Sequence, residues 1–142
     1  MQRKLAWGAM AFLLLAGMIW GEGAKPDVSD TASKDQITHG KYLVDNVAGC
    51  NDCHTPFTDK GTPDESKYLQ GAPLMFKPTV PMPWAEVAPG ISGLPSLSEK
   101  EAVEFLMTGK LPAGRQPRPP MPPYRLNKDD AEAVVAYLKS LK

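Results

Sequence analysis

An all-α domain with long irregular loops is the fold class that the sequence predicts. Three segments combine a helix-capping signal with apolar residues at helical spacing, and no pair of alternating apolar and polar runs indicates a sheet. Of the 15 prolines in the 142-residue chain, 14 cluster between these segments. Because proline interrupts helices and strands, we expect three or four short helices joined by long loops.

The composition is that of one ordinary globular domain. Hydrophobic residues make up 42% of the chain and charged residues 23%, which argues against a disordered chain and a multi-span membrane protein. The 16 basic and 16 acidic residues balance, so the chain lacks the basic character of a nucleic-acid-binding protein. Two cysteines are too few for a disulfide network.

The first 23 residues have the organisation of a secretory signal. Two basic residues precede an uncharged run of seventeen residues, 5–21, and small residues then suggest cleavage before Ala24. Since that cleavage site is weak and seventeen apolar residues can just span a bilayer, a retained N-terminal anchor is the alternative. We predict a signal peptide or anchor at 1–23, a linker at 24–32 and one exported domain at 33–142.

The first helix is predicted to begin after Ser33, which forms a capping-box pattern with Gln36. Its expected end is near Gly49. The apolar positions predicted to face the core are Ile37, Tyr42, Leu43 and Val47.

Two further helices have clear capping residues. Ser98 and Glu101 form a second capping box, and Gly109 is expected to end that helix. Asn127 caps the last helix, whose acidic first turn and basic last turn match the helix dipole. The predicted apolar stripes are Ala102, Val103, Leu106 and Met107 in the former, and Ala131, Val134, Val135, Leu138 and Leu141 in the latter.

Two proline-rich segments separate the helices. Residues 55–95 hold eight prolines and four glycines, and residues 110–123 hold six prolines. Such long stretches without regular structure are unusual in a compact domain unless they pack against something other than protein. The loops therefore predict a bound group with a large apolar surface.

The motif Cys50-Asn51-Asp52-Cys53-His54 matches C-x-x-C-H, the attachment sequence of c-type haem. Two thiols one helical turn apart can add to the two vinyl groups of one porphyrin edge, and the adjacent imidazole can bind the iron. One haem c, held covalently through two thioethers, would also supply the apolar surface that the proline-rich loops need.

Three other interpretations of the motif compete with haem attachment. A redox-active C-x-x-C normally belongs to a βαβ unit, and the sequence predicts none. A structural zinc site needs four ligands, and His39 is the one further cysteine or histidine in the chain. The third is a chance match of a short motif. The predicted export favours haem, because c-type cytochromes are assembled outside the cytoplasm.

A methionine is the expected second iron ligand, because a histidine–methionine pair raises the reduction potential and closes the iron to other ligands. The candidates after the motif are Met75, Met82, Met107 and Met121. Met121 is favoured because the flanking prolines of 118–123 reduce the backbone entropy lost in holding a weak ligand. The alternatives are Met82 and a merely space-filling methionine.

Two other side chains are formally possible as the second iron ligand. Met107 is expected to pack in the core, on the apolar side of its helix. His39 is a formal alternative as a second imidazole ligand, but its place on the first helix favours a surface or packing role.

With these features, the chain resembles the class I c-type cytochromes. The likeness runs from Gly40-Lys41-Tyr42-Leu43-Val44 through the C-x-x-C-H motif and Met121-Pro122-Pro123 to Ala136-Tyr137-Leu138. The resemblance implies the class I cytochrome c fold, wrapped around one haem, with His54 and Met121 as iron ligands. It also implies a contact of the first and last helices in which Gly40 and Tyr42 meet Tyr137 and Leu138.

The resemblance also suggests a role for Trp84. In many relatives a tryptophan donates its N–H to a haem propionate, and Trp84 is available for this in the predicted domain. Packing within the loop is the alternative. A further implication is six-coordinate iron, because cytochromes with open, gas-binding iron carry the motif near the C-terminus instead.

More narrowly, the chain resembles single-haem cytochromes of bacterial periplasmic dehydrogenases. The implied function is single-electron transfer in the periplasm between a dehydrogenase or quinol-oxidising complex and an oxidase or reductase, by a soluble or N-terminally anchored carrier. A fixed haem subunit of a multi-subunit oxidoreductase is the alternative. A haem sensor or peroxidase would require that Met121 not bind, and the chain has no cluster of catalytic acids and bases.

Charge is unevenly distributed along the chain. Residues 50–65 carry four acids and one lysine, whereas residues 108–128 carry no acid. If the Met121 segment borders the exposed haem edge, its basic residues would attract an acidic redox partner. An ordinary solvated surface is the alternative. The basic residues are Lys110, Arg115, Arg118, Arg125 and Lys128.

Overall fold

The structure, a computed structural model, describes residues 32–141. The predicted signal peptide or anchor at 1–23, and the linker at 24–32 apart from Ala32, lie outside the described residues. Across the described part, no helix has both the length and the apolar character that a membrane span requires.

Four α-helices frame the described chain, and the predicted all-α class is confirmed. They are α1 (Lys34–Tyr42), α2 (Cys50–His54), α3 (Glu99–Thr108) and α4 (Lys128–Ser140). The helical path of α1 continues as a π-helical turn, and single 3₁₀ turns interrupt the two proline-rich segments. The π-helical turn is Leu43–Val47, and the two 3₁₀ turns are Glu65–Lys67 and Pro112–Gly114.

A two-residue antiparallel ladder lies within the longer proline-rich segment. Strand β1 (Ala72–Pro73) pairs with β2 (Val87–Ala88), with Ala72 opposite Ala88. The sequence predicts no strand here, because so short a ladder leaves no alternating pattern. The rest of the segment is irregular, as predicted.

The predicted capping residues begin all three long helices. Ser33 and Asn127 accept hydrogen bonds from amides in the first turns of α1 and α4, at 3.1 and 2.8 Å. Ser98 and Glu101 form a reciprocal capping box, with bonds of 3.3 Å to the Ser98 hydroxyl and 2.9 Å to the Glu101 carboxylate. Each cap satisfies an amide that the helix cannot.

Helices α1 and α4 cross at Gly40. A Cβ built on Gly40 would overlap the carbonyl oxygen of Ala133 and lie 2.8 Å from Cβ of Tyr137, so the two helices touch where a side chain is missing. The contact of Gly40 with Tyr137 confirms the helix crossing that the resemblance implies. The predicted apolar stripe of α4 is buried, with its last residue half-buried.

The buried face of the first helix differs from the predicted one. Tyr42 and Val47 are 56% and 58% exposed, so their predicted place in the core is wrong, as is the place of Tyr42 in the helix crossing. Tyr42 follows Gly40 by two residues and so lies about 200° around the helix from it, on nearly the opposite face. The wider π turn carries Val47 away from the core, while Leu43 and Val44 are buried.

Helix α3 buries Ala102, Phe105 and Leu106. The prediction that Met107 packs in the core is wrong, because Met107 is 37% exposed. Phe105 and Leu106 follow Ala102 by three and four residues and share its face of the helix, whereas Met107 follows by five and turns away.

We expect Gly40→Ala to lower the free energy of unfolding by about 1–3 kcal/mol, because the added methyl group overlaps the Ala133 backbone. This loss should exceed the gain from the higher helix propensity of alanine. Chemical denaturation followed by circular dichroism measures it. Thr38→Ala, on the exposed side of α1, is the matched control. Equal losses in the two variants would contradict a tight crossing at Gly40.

Candidate functional site

A cavity of about 540 Å³ lies between α2, the segment after β2, α3 and the loop that precedes α4. This volume is typical of cofactor sites. Its wall brings together residues from opposite ends of the domain. Among them are Cys50, Cys53, His54, Pro89, Phe105, Arg118, Met121 and Tyr124.

Both cysteines and the histidine of the C-x-x-C-H motif face this cavity from the single turn of α2. Cys50 and His54 are buried and Cys53 is half-buried. Gly49, in the left-handed conformation, separates α2 from the helical path of α1 and sets its direction. A single helical turn therefore presents two thiols and one imidazole to one space.

The imidazole of His54 is oriented by a backbone carbonyl. Its Nδ1 lies 2.6 Å from the carbonyl oxygen of Pro89, to which it donates a hydrogen bond. Burial lowers the pKa of His54, and the bond to Pro89 opposes that change only in part. Within the described chain Nε2 makes no hydrogen bond, so its lone pair is available to a metal ion.

The two thiols have raised pKa values. Burial raises the pKa of Cys50 to about 11, and burial also raises the pKa of Cys53. Redox-active cysteines normally have lowered pKa values, so neither thiol has the environment that the redox alternative requires.

The zinc alternative also lacks a ligand set. Within residues 32–141, no three histidine, cysteine, aspartate or glutamate side chains are grouped so that they could hold a metal ion. His39 does not line the cavity; its Nε2 lies 2.7 Å from Asp130 at the surface.

Met121 is the one candidate methionine that lines the cavity with His54. Met75 and Met82 are 80% and 44% exposed, and neither they nor Met107 line it. The folded chain thus brings Met121 to the motif and leaves the other candidates outside.

The segment that carries Met121 is anchored on both sides. The carbonyl oxygen of Pro119 accepts a 2.8 Å hydrogen bond from the amide of Ala85. Pro123 packs against Gly109 so closely that a Cβ on Gly109 would lie 2.6 Å from Cβ of Pro123. Gly109 also ends α3 with a φ of 70°, as predicted for this glycine.

Trp84 lies next to the cavity wall, to which its neighbour Ala85 belongs. Its ring packs edge-on against Phe76, with centroids 5.7 Å apart. The buried indole Nε1 has no hydrogen-bond partner among the described residues. Because an unpartnered buried N–H is costly, this atom fits a site completed by an acceptor that is not protein.

Sequence reasoning misses Thr55 and Pro89. Thr55 is buried, and its hydroxyl accepts a 3.0 Å hydrogen bond from the amide of Leu69. The carbonyl of Leu69 in turn accepts a 2.9 Å bond from Ile91, which links α2 to the segment that carries Pro89. Pro89 acts through its backbone carbonyl, which leaves no signal in a sequence.

Tyr124 is the third residue that sequence reasoning misses. It lines the cavity, and its hydroxyl donates a 2.6 Å hydrogen bond to the carbonyl oxygen of Ala48. Burial raises its pKa to about 12. Its position after the Pro-Met-Pro-Pro sequence is the signal that would have drawn attention to it.

Basic and acidic side chains both lie at the edge of the cavity. Arg115 and Arg118 are exposed and line it on the side of the Met121 segment, and Asp52 lines it on the side of α2. Lys110 and Arg125 do not line it. Two of the five predicted basic residues are therefore placed at its edge.

A set of exposed apolar side chains adjoins the cavity beside Cys53. Asp52, Cys53 and Leu74 line both the cavity and a smaller groove of about 250 Å³. The groove is lined further by Phe57, Met75 and Phe76, all three of which are exposed. We call these three residues the apolar patch.

Comparison with known proteins assigns the family. The sequence model of the cytochrome c family matches residues 37–142 of the chain. The chain belongs to the cytochrome c family. This cytochrome is 34% identical to the fructose dehydrogenase cytochrome subunit of Gluconobacter japonicus, over 82% of this chain and 24% of that relative. It is 29% identical to the cytochrome c subunit of alcohol dehydrogenase (quinone) from Gluconobacter oxydans strain 621H, over 82% of this chain and 26% of that relative.

The cytochrome spans about a quarter of the length of these curated relatives.

Its family confirms the predicted class I fold, the covalently bound haem c and electron transfer as its function. The iron of a bound haem supplies one-electron redox chemistry. The cofactor-sized cavity, the available Nε2 of His54 and the unpartnered N–H of Trp84 all fit that group. The cytochrome is therefore an electron carrier or an electron-transfer subunit.

Proposed function

We propose that this cytochrome is a single-electron carrier in which Cys50 and Cys53 attach the haem and His54 and Met121 bind its iron. One observation carries this proposal: His54 and Met121 line the same cavity, and the other candidate methionines lie outside it. Ligation by both His54 and Met121 would leave no place for a substrate at the iron, and the bound haem would supply one-electron redox chemistry.

The residues of the site hold the iron ligands in place. The Pro89 carbonyl orients His54, and the proline-flanked segment restricts Met121. Because each proposed ligand is fixed by a separate part of the fold, the chain would need to move little when the iron changes its oxidation state. Phe105 and Leu111 add apolar surface to the cavity wall.

Trp84 is the proposed donor to a haem propionate. The support is its buried N–H, which has no partner among residues 32–141. A propionate oxygen would satisfy this donor and remove the cost of its burial. The packing of its ring on Phe76 would hold the indole in place for that bond.

In Met121→Ala, we expect the ferric iron–methionine band to disappear, the ferrous protein to bind carbon monoxide and the reduction potential to fall, because an axial position opens. Absorption spectra with and without carbon monoxide, and a redox titration, measure these changes. Met82→Ala is the control and should behave like the unaltered protein, whose low-spin spectrum carbon monoxide should leave unchanged. Carbon monoxide binding by the unaltered protein would contradict the His54–Met121 site.

The proposed location is the periplasm, reached through the predicted signal or anchor at 1–23. The two curated relatives are cytochrome subunits of dehydrogenases, which supports a dehydrogenase as the electron donor. A quinol-oxidising complex is the other proposed donor, and an oxidase or reductase is the proposed acceptor.

An acidic-faced partner is proposed on the basis of Arg115 and Arg118 at the cavity edge. Neutralising both residues to glutamine should slow electron transfer to an anionic oxidant several-fold at low salt and leave the spectrum unchanged. Stopped-flow oxidation of the ferrous protein by hexacyanoferrate(III) measures this rate. The matched control is the double variant Lys110→Gln and Arg125→Gln, which removes equal charge away from the cavity. Equal rates in the two double variants would contradict steering at the edge.

The apolar patch favours a second candidate function, a fixed haem subunit of a larger oxidoreductase. Phe57, Met75 and Phe76 are exposed next to the cavity, and large apolar side chains grouped in this way are typical of stable protein interfaces. A mobile carrier, in contrast, needs contacts that release quickly.

Purification of the tagged cytochrome from its native host distinguishes the two functions. A fixed subunit should co-purify with a dehydrogenase chain in constant ratio, and Phe57→Ser with Met75→Ser should abolish this association without changing the haem spectrum. Val80→Ser is the control, because Val80 is exposed and apolar but does not line the groove. Recovery of the free cytochrome, by gel filtration, would favour the mobile carrier.

A further inference from the structure

Tyr124 joins the two parts of the cavity wall that carry the proposed iron ligands. Its hydroxyl donates a 2.6 Å hydrogen bond to the carbonyl oxygen of Ala48. Tyr124 follows Met121 by three residues, and Ala48 precedes Cys50 by two. The bond therefore runs from the segment that carries Met121 to the entry of the helix that carries His54.

The chain between Met121 and Tyr124 is stiff. Pro122 and Pro123 restrict φ at both intervening positions. Pro123 is also held against Gly109. The backbone has little freedom to absorb a displacement, so a movement of Met121 away from the cavity centre also moves Tyr124.

The other end of the bond is attached to the helical frame. The amide of Ala48 donates a 2.7 Å hydrogen bond to the carbonyl of Leu43, which closes the π turn after α1. Leu43 is buried in the core. The Ala48 carbonyl is thus a stationary acceptor, and the Tyr124 hydroxyl is tied to the rigid part of the domain.

We infer that Tyr124 is a positioning residue for the bond between Met121 and the haem iron. Its hydroxyl holds the Met121 segment against α2, so that external ligands displace Met121 only when the bond to Ala48 also breaks. This inference rests on the proposed His54–Met121 ligation. In this inference, Tyr124 controls how readily an external ligand displaces Met121.

Tyr124→Phe tests the inference, because it keeps the ring in the cavity wall and removes only the hydroxyl. In the ferric haem-loaded protein, imidazole should displace Met121 at about tenfold lower concentration than in the unaltered protein, since the breaking of one part-buried hydrogen bond no longer opposes displacement. Loss of the iron–methionine band during an imidazole titration at fixed pH measures this change. Far-UV circular dichroism of the same samples records whether the fold is retained.

Tyr137→Phe is the matched control for general destabilisation. The hydroxyl of Tyr137 donates a 3.2 Å hydrogen bond to that of Tyr68 in the helix packing, and Tyr137 does not line the cavity. This variant should lose a similar unfolding stability and keep the imidazole affinity of the unaltered protein. An unchanged imidazole affinity in Tyr124→Phe, or an equal increase in both variants, would overturn the inference. An unaltered protein without an iron–methionine band would overturn the proposed function instead.

Discussion

The packing of two proline-rich segments around a covalently attached haem is the interaction on which the rest of the structure depends. Apart from a two-residue ladder, these segments are connected by turns and by separate backbone hydrogen bonds, and they contain no long helix or strand. The π turn after α1, together with α3 and α4, supplies most of the buried core, and the segments extend from it to enclose the cavity. A bound haem would supply the apolar surface that makes such loops compatible with a compact domain, and the proposed attachment through Cys50 and Cys53 would keep that surface in place.

The helices position the two sides of the cavity through different contacts. The crossing at Gly40 places α1 against α4, and the π turn leads from α1 into the helix of the motif. The buried Thr55 then connects α2 to the segment that orients His54. On the far side, Gly109 ends α3 where Pro123 packs, which places the Met121 segment. Both proposed iron ligands are therefore held by short connections to the same rigid frame, as suits an iron that must exchange electrons without rearrangement.

The surface around the cavity combines two kinds of contact. Arg115 and Arg118 are exposed on the side of the Met121 segment, whereas the apolar patch adjoins the side of Cys53. Charged side chains act at a distance and increase the rate of encounter. Apolar side chains act only in contact and lengthen the life of a complex. The balance of these two surfaces, rather than the haem site itself, separates a mobile carrier from a fixed subunit.

The sequence by itself determined the helix caps, the end of α3, the irregular segments and the haem motif, because each depends on residues close together in the chain. It also favoured Met121, through the prolines beside it. Only the tertiary structure decided which helix faces are buried: Tyr42 and Met107 are apolar at near-helical spacing, yet the neighbouring helices meet the opposite faces. The roles of the Pro89 carbonyl and of the Tyr124 hydroxyl likewise arise from contacts between distant parts of the chain. Local patterns encode local structure, whereas a contact between distant segments exists only once the fold has brought them together.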